Sequence, residues 1–334
     1  MLKSITDMIN AYALSATIIL IFSCVELRIK STLVKRILFW SFGIVPLIFF
    51  VGLRGGVDDD YYSYIKYFEL APTIGSFSTE WNGYREATSG VEIGFALAAS
   101  FIRSTGGTPE QGIFIFAAIN FLTVGLIISK YGVRLFYSLF VYYCIYLPVF
   151  FTHIRFSLAL LLGFYGIIGV LTCRKKFISW GLVIVSPFIH IASIVFVPVI
   201  FCYRLCGVVK VFHFGVLCLL ISLFFLLLDF TSPITYILSF IGGRYEFYIG
   251  AGAGSVSSAL LRIFFLVLFI CGLRDVDKTH ALGLDSKYYY RTIYRILFMI
   301  YCLSTIVWSI SWQVDVLYRL GLALQISMIG GCRG

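Results

Sequence analysis

The chain reads as an all-α polytopic membrane protein of about 11 transmembrane helices (range 10–12), with a long loop after the second. Three observations predict this. Of its 334 residues, 60% are hydrophobic and 13% charged, against roughly 25% charged in soluble domains. Apolar runs of about 17–20 residues recur along the whole length, each close to what a helix needs to cross the hydrocarbon layer. The Lys and Arg residues gather at alternate ends of those runs, which orients them.

The predicted crossings are 9–26, 37–53, 111–129, 135–151, 156–173, 177–190, 191–203, 211–228, 257–273, 293–311 and 315–331. The first run lacks a basic stretch before it and a small-residue cleavage site after it, so it reads as a retained helix rather than a signal peptide. The pair 177–190 and 191–203 is short and carries Pro187 and Pro198, the mark of a kinked or broken hairpin. Val91–Arg103 is the ambiguous piece, because counting it as a crossing inverts everything that follows. Left on the outer side, it places 17 of the 26 Lys and Arg in inner loops; counted as a crossing, it leaves most of them outside. The positive-inside rule selects the first arrangement, with an outer N-terminus and an inner C-terminus. The same arrangement puts 12 of the 16 Asp and Glu on the outer side, an asymmetry the rule does not itself impose.

The whole chain, 1–334, is predicted to be one transmembrane domain with two long outer loops, 54–110 and 229–257. The first combines Tyr61, Tyr62, Tyr64, Tyr67, Phe68, Trp81 and Tyr84 with charges. Such a composition argues against disorder and for helices lying on the membrane surface.

Several functions are excluded or disfavoured. A net charge of +10 follows from topology, and no nucleic-acid partner is expected. The nine cysteines lie mostly inside apolar runs without a Cys-x-x-Cys pair, so neither a disulfide framework nor a zinc site is indicated. There is no phosphate-cradling Gly-Lys-Ser/Thr loop, no Gly-x-Ser-x-Gly elbow and no His-Glu-x-x-His. No cofactor is expected.

The chemistry-bearing residues concentrate at the outer face. Residues 52–64, Gly-Leu-Arg-Gly-Gly-Val-Asp-Asp-Asp-Tyr-Tyr-Ser-Tyr, set an arginine, three carboxylates and three tyrosines at the mouth of an apolar helix. Ionised groups there are costly and mark functional sites; the plain alternative is a solvated turn. Arg54, Arg155, Arg244, Arg262 and Arg319 lie on or near the outer face, and the arginine fork suits phosphate. Snorkelling to lipid headgroups is the competing reading for any one of them. His190 follows Pro187-Phe-Ile, with Ser193 one turn beyond if the helix continues. It can act as a base or as a packing hydrogen bond. His153 is the weaker candidate. Asp58–Asp60 could also hold a divalent cation.

These residues carry a resemblance. Gly52–Tyr64, Glu92–Phe95, Ile154–Ala159, Phe188–Ser193 and Arg244–Tyr248 form an ordered set of blocks similar to the bacterial O-antigen and capsule polysaccharide polymerases of the Wzy type, within the EpsG-like group. Asp58 stands where that family commonly has glycine. The resemblance implies a glycosyltransferase of GT-C-like architecture in the bacterial inner membrane, with its active site facing the periplasm. It would polymerise undecaprenyl-pyrophosphate-linked repeat units into O-antigen or a related surface polysaccharide without a metal. Implied partners are the lipid-linked glycan donor and acceptor, membrane lipids and a chain-length regulator protein. On that reading Arg54, Arg155, Arg244 and Arg319 hold the pyrophosphate, His190 or Asp60 serves the acceptor, and Tyr61 and Tyr64 meet the sugars. A lipid-linked oligosaccharide flippase and an O-antigen ligase remain the alternatives.

Overall fold

The structure, a computed structural model, describes residues 2–56, 58–132, 134–172, 176–206, 211–228, 232, 236, 259–260, 262–267, 270 and 286–311. Among them every regular element is helical and none is a strand. Three helices are long and apolar enough to cross a membrane: Thr32–Gly52, Pro109–Tyr131 and Ile154–Leu171. Shorter apolar helices accompany them, and the chain is a membrane protein. The described residues divide into two compact units, one within 2–165 together with 181–191, the other within 166–180 and 192–311.

In the first unit, α1 spans Leu2–Glu26. The next span begins at the Ser31 N-cap, whose hydroxyl accepts from Val34 N–H. It runs through α2 (Thr32–Leu38), a π-helical turn (Phe39–Ile44) and α3 (Val45–Gly52). Phe39, Ile44, Leu47 and Val51 are buried, whereas Leu33, Ile37, Phe42 and Phe49 face outward, as lipid-facing positions should. Helix α7 (Pro109–Tyr131) opens on a capping box: Thr108 accepts from Gln111 N–H and the Gln111 side chain accepts from Thr108 N–H. Helix α8 (Leu135–Thr152) is capped from a distance. Both oxygens of the buried Glu26 carboxylate, at the end of α1, accept its first backbone N–H groups, from Leu135 at 2.7 Å and Phe136 at 3.0 Å. A carboxylate suits the positive end of a helix. One non-helical residue, His153, separates α8 from α9 (Ile154–Leu171).

The long loop 54–110 is folded. It contains α4 (Asp59–Leu70), α5 (Phe77–Ala87) and α6 (Ile93–Ser104) around a short 3-10 turn, Ile74–Ser76. Tyr64, Phe68, Tyr84 and Phe95 are buried between them and α7. Gly112 on α7 makes room for this packing, since a Cβ there would sit 2.6 Å from the Phe68 ring. Arg103 closes the assembly by donating to Glu69 O at 2.7 Å and to Ala71 O, the carbonyls that end α4. These helices have a core of their own.

Helix α10 (Lys176–Ile189) ends soon after Pro187. The expectation that the helix continues to place Ser193 one turn beyond His190 does not hold. The helix runs through Pro187 and His190 N–H still donates to Ser186 O, but the next donor, Ile191 N–H, goes to Glu92 Oε1; His190 is non-helical, and a 3-10 turn, Ile191–Val195, follows before α11 (Phe196–Cys206).

In the second unit, α12 (Val211–Leu227) packs against α13 (Ser286–Ser311). Their core is Cys218, Leu266, Ile270, Phe298, Tyr301 and Cys302. The Arg262 guanidinium lies 3.3 Å from the centroid of the Trp308 ring, and Tyr301 donates to Arg262 O at 3.2 Å.

Candidate active site

The first unit gathers the ends of α3, α4, α6, α8, α9 and α10. Arg54 follows the last turn of α3 and is only 5% exposed. Its Nη2 donates to Thr152 O at 3.4 Å, where α8 ends, and its guanidinium stands 5.1 Å from the centroid of the Phe151 ring. Its Nε lies 3.3 Å from Asp58 Oδ2, a charge contact whose angle is outside hydrogen-bond range. Burial lowers the Arg54 pKa, while Asp58, Tyr64 and Asp60 counter that effect. Guanidinium is basic enough that it stays a cation. Asp58 is also the N-cap of α4, its Oδ1 accepting from Tyr61 N–H at 2.9 Å. The residue that departs from the family pattern therefore starts the helix and neutralises the arginine.

Arg155, in the first turn of α9, is arranged in the same way. Its Nη1 lies 3.1 Å from Glu92 Oε2, with side chains 17% and 20% exposed. Its guanidinium lies over Tyr67 and Phe95, at 5.5 and 5.4 Å from their centroids. Its position is set from both sides: Asn120 Nδ2 on α7 donates to Ile154 O at 2.9 Å, and Arg155 N–H donates to Tyr64 Oη at 3.5 Å. Glu92, the residue before α6, accepts from Ile191 N–H through its other oxygen at 3.3 Å. The start of α6 approaches the end of α10 so closely that a Cβ on Gly94 would fall 2.6 Å from Phe188 O. Glu92 thus joins Arg155 to the break that holds His190.

Among the described residues, Arg54 Nη1 and Arg155 Nε are buried donors without a hydrogen-bond partner. Two cations with donors to spare can bind a multivalent oxyanion. Tyr64 sits between them. Burial pushes its hydroxyl up to about 12, a rise that Asp60 reinforces and that Arg155 and Arg54 oppose. It remains a neutral phenol at ordinary pH.

The third contact is at the α8–α9 junction. His153 Nδ1 lies 3.3 Å from Asp60 Oδ2, with side chains 34% and 40% exposed. The same nitrogen is in contact with Thr152 Oγ1. His190 meets the Phe156 ring edge-on, 5.3 Å centroid to centroid, and His153 meets the same ring at 6.4 Å.

Of the site residues expected from the sequence, Arg54, Asp60, Tyr64, Arg155 and His190 come together at these helix ends. Tyr61 is part-exposed in the first turn of α4. Arg244 and Arg319 lie outside the described residues. Sequence reasoning did not assign Glu92 and Asp58 as the arginines' counter-ions. The signal for Asp58 was present, since an Asp three residues before a helical N–H is a capping pattern and Arg54 lies at i−4. For Glu92 no local signal exists. The described residues contain no group of three His, Cys, Asp or Glu that could hold a metal ion.

The family model for EpsG matches residues 37–329. The chain belongs to the EpsG family. This is a family of Wzy-type polysaccharide polymerase-like proteins, which gives this EpsG-family chain a polymerase-like, glycosyltransferase-like role in polysaccharide biosynthesis. No curated protein and no solved structure matches it. The match includes all the helix ends that form the site.

Proposed function

We propose that this EpsG-family chain polymerises undecaprenyl-pyrophosphate-linked oligosaccharide repeat units into O-antigen or a related surface polysaccharide. Transfer would take place at the periplasmic face of the bacterial inner membrane and without a metal. The observation that carries the proposal is the pairing of two cations, Arg54 and Arg155, whose unspent donors lie at adjoining helix ends. In glycosyl transfer from a lipid diphosphate, negative charge develops on the leaving group. Preorganised cations that stabilise that charge can supply several kcal/mol of barrier lowering.

On this reading the diphosphate competes with Asp58 and Glu92 for the two guanidinium groups. Arg244 and Arg319 would extend the cluster. Asp60 and His190 border the acceptor side. Tyr61 offers a part-exposed ring to a sugar, while Tyr64, being buried, serves through its hydroxyl on Arg155. Lipid tails would enter between helices, and a chain-length regulator would be a further partner.

The test is the glycan ladder of a strain lacking this chain, complemented with wild type or Arg155→Lys. Wild type should restore a full ladder. The lysine variant, which keeps the charge but loses the planar fork, should leave single repeat units capped on lipid A at normal protein level. A full ladder from Arg155→Lys sinks the assignment. Loss of all capping in the deletion strain would favour a ligase, and repeat units retained on the inner face would favour a flippase.

A further inference from the structure

The proposed transfer needs a group that accepts the proton of the attacking sugar hydroxyl, and the sequence alone pointed to His190 or Asp60. The helix ends suggest a different division of labour. Asp60 Oδ2 approaches His153 Nδ1 at 3.3 Å. A carboxylate accepts and never donates, so this contact favours the tautomer with the proton on Nδ1. The neighbouring Thr152 hydroxyl touches the same nitrogen and, rotating freely, is able to accept there in that tautomer. That assignment makes Nε2 the lone-pair nitrogen. Both side chains are part-exposed, whereas Arg54 is buried beside them with Nη2 on the carbonyl of Thr152, the residue preceding His153.

We infer that His153 is the catalytic base of this site and that Asp60 is its positioning residue, holding the imidazole by Nδ1 and stabilising the imidazolium. This rests on the glycosyl-transfer reading above. The acceptor hydroxyl gives its proton to His153 Nε2 as its oxygen bonds to the anomeric carbon of the donor glycan. The bond from that carbon to the pyrophosphate oxygen breaks with its electron pair. The resulting charge falls beside Arg54 and Arg155, and the imidazolium returns its proton to water. The placement suits the chemistry, because His153 lies in sequence between Thr152, which binds Arg54 through its carbonyl, and Ile154, which adjoins Arg155. Base and leaving-group cations are thereby held on one three-residue junction. Asp60 on α4 faces the ring; Arg54 after α3, with Asp58 beside it, holds the preceding carbonyl, Arg155 on α9 lies two residues on with the Tyr64 hydroxyl at its N–H, and His190 shares Phe156 with the ring.

The experiment uses purified full-length protein in detergent, with undecaprenyl-pyrophosphate-linked repeat units extracted from a strain that lacks this chain. His153→Ala should lower the initial rate of chain extension roughly 10²–10⁴-fold, the range for losing a general base. Binding of undecaprenyl pyrophosphate should change less than about threefold, and added imidazole should restore part of the rate. His153→Gln, closer in shape, guards against a folding defect and should be equally slow. Wild type should show an acidic limb in its rate against pH, and Asp60→Asn should move that limb to lower pH, since an anion beside the imidazolium is gone. His190→Ala should keep the limb. Wild-type rates in both His153 variants, or an acidic limb that survives in them, overturns the inference while the polymerase reading stands. Wild-type protein that makes no polymer from these units, with Arg155→Lys no different from it, overturns both.

Discussion

Glu92→Gln separates two effects that an ordinary destabilising mutation cannot. Glu92 Oε2 lies 3.1 Å from Arg155 Nη1 and its Oε1 accepts from Ile191 N–H. At that distance and an effective dielectric constant of about 20, the two charges attract by roughly 5 kcal/mol before desolvation is counted. Breaking a fully buried pair costs about 3–5 kcal/mol and an exposed one under about 1 kcal/mol. With side chains 17% and 20% exposed, this pair falls between, at about 2 kcal/mol. Glutamine has one acceptor oxygen for two donors, so one contact is lost as well as the charge. The fold should weaken by that amount, lowering the unfolding midpoint by a few degrees. Donor binding should move the other way. A diphosphate no longer has to displace a carboxylate from Arg155, so undecaprenyl pyrophosphate should bind about 10–30-fold more tightly, the same 2 kcal/mol read as affinity. Thermal unfolding and lipid titration on one purified sample give both values. Binding that weakens together with stability would refute Glu92 as the counter-ion that the substrate replaces.

Two further outcomes follow from other parts of the first unit. Glu26→Ala removes both acceptors from the first two N–H groups of α8; loss of a buried charged cap should cost about 2–3 kcal/mol, and Glu26→Gln about half. Thermal unfolding in detergent checks this, and equal midpoints in all three proteins would exclude the capping role. The Tyr64 hydroxyl, held neutral by burial, titrates at about 12 instead of its ordinary 10. Its folded pKa is raised, so its contribution to stability is complete below pH 10 and is lost as pH rises toward 12. Denaturant midpoints should fall between those values in wild type and fall less in Tyr64→Phe; parallel curves would rule Tyr64 out as the titrating group.

Much of the helical architecture was legible because hydropathy is a local property. The runs 37–53, 111–129 and 156–173 correspond to the spans Thr32–Gly52, Pro109–Tyr131 and Ile154–Leu171, since an uninterrupted apolar stretch leaves the backbone no partner but itself. The break near Pro187 was legible from the proline, although its location at His190 depended on Glu92, which takes the Ile191 N–H. The aromatic loop was expected to be helical and on the membrane surface. That its helices bury Tyr64, Phe68 and Phe95, with Phe68 against Gly112, depends on packing between residues as much as some forty positions apart, and periodicity carries no record of that.

The sequence by itself determined the class of protein, three of its long apolar helices, its EpsG-family kinship and the short set of polar residues worth attention. The cost of charge beside hydrocarbon makes Arg54, Asp60, Arg155 and His190 conspicuous wherever they fold. Only the tertiary structure decided which of them face one another. Arg155 meets Glu92, His153 meets Asp60, and Asn120 fixes the turn that carries both His153 and Arg155. Each of these contacts joins residues far apart in the chain. An ion pair is set by a distance of a few ångströms in space, and no local pattern of residues encodes that distance.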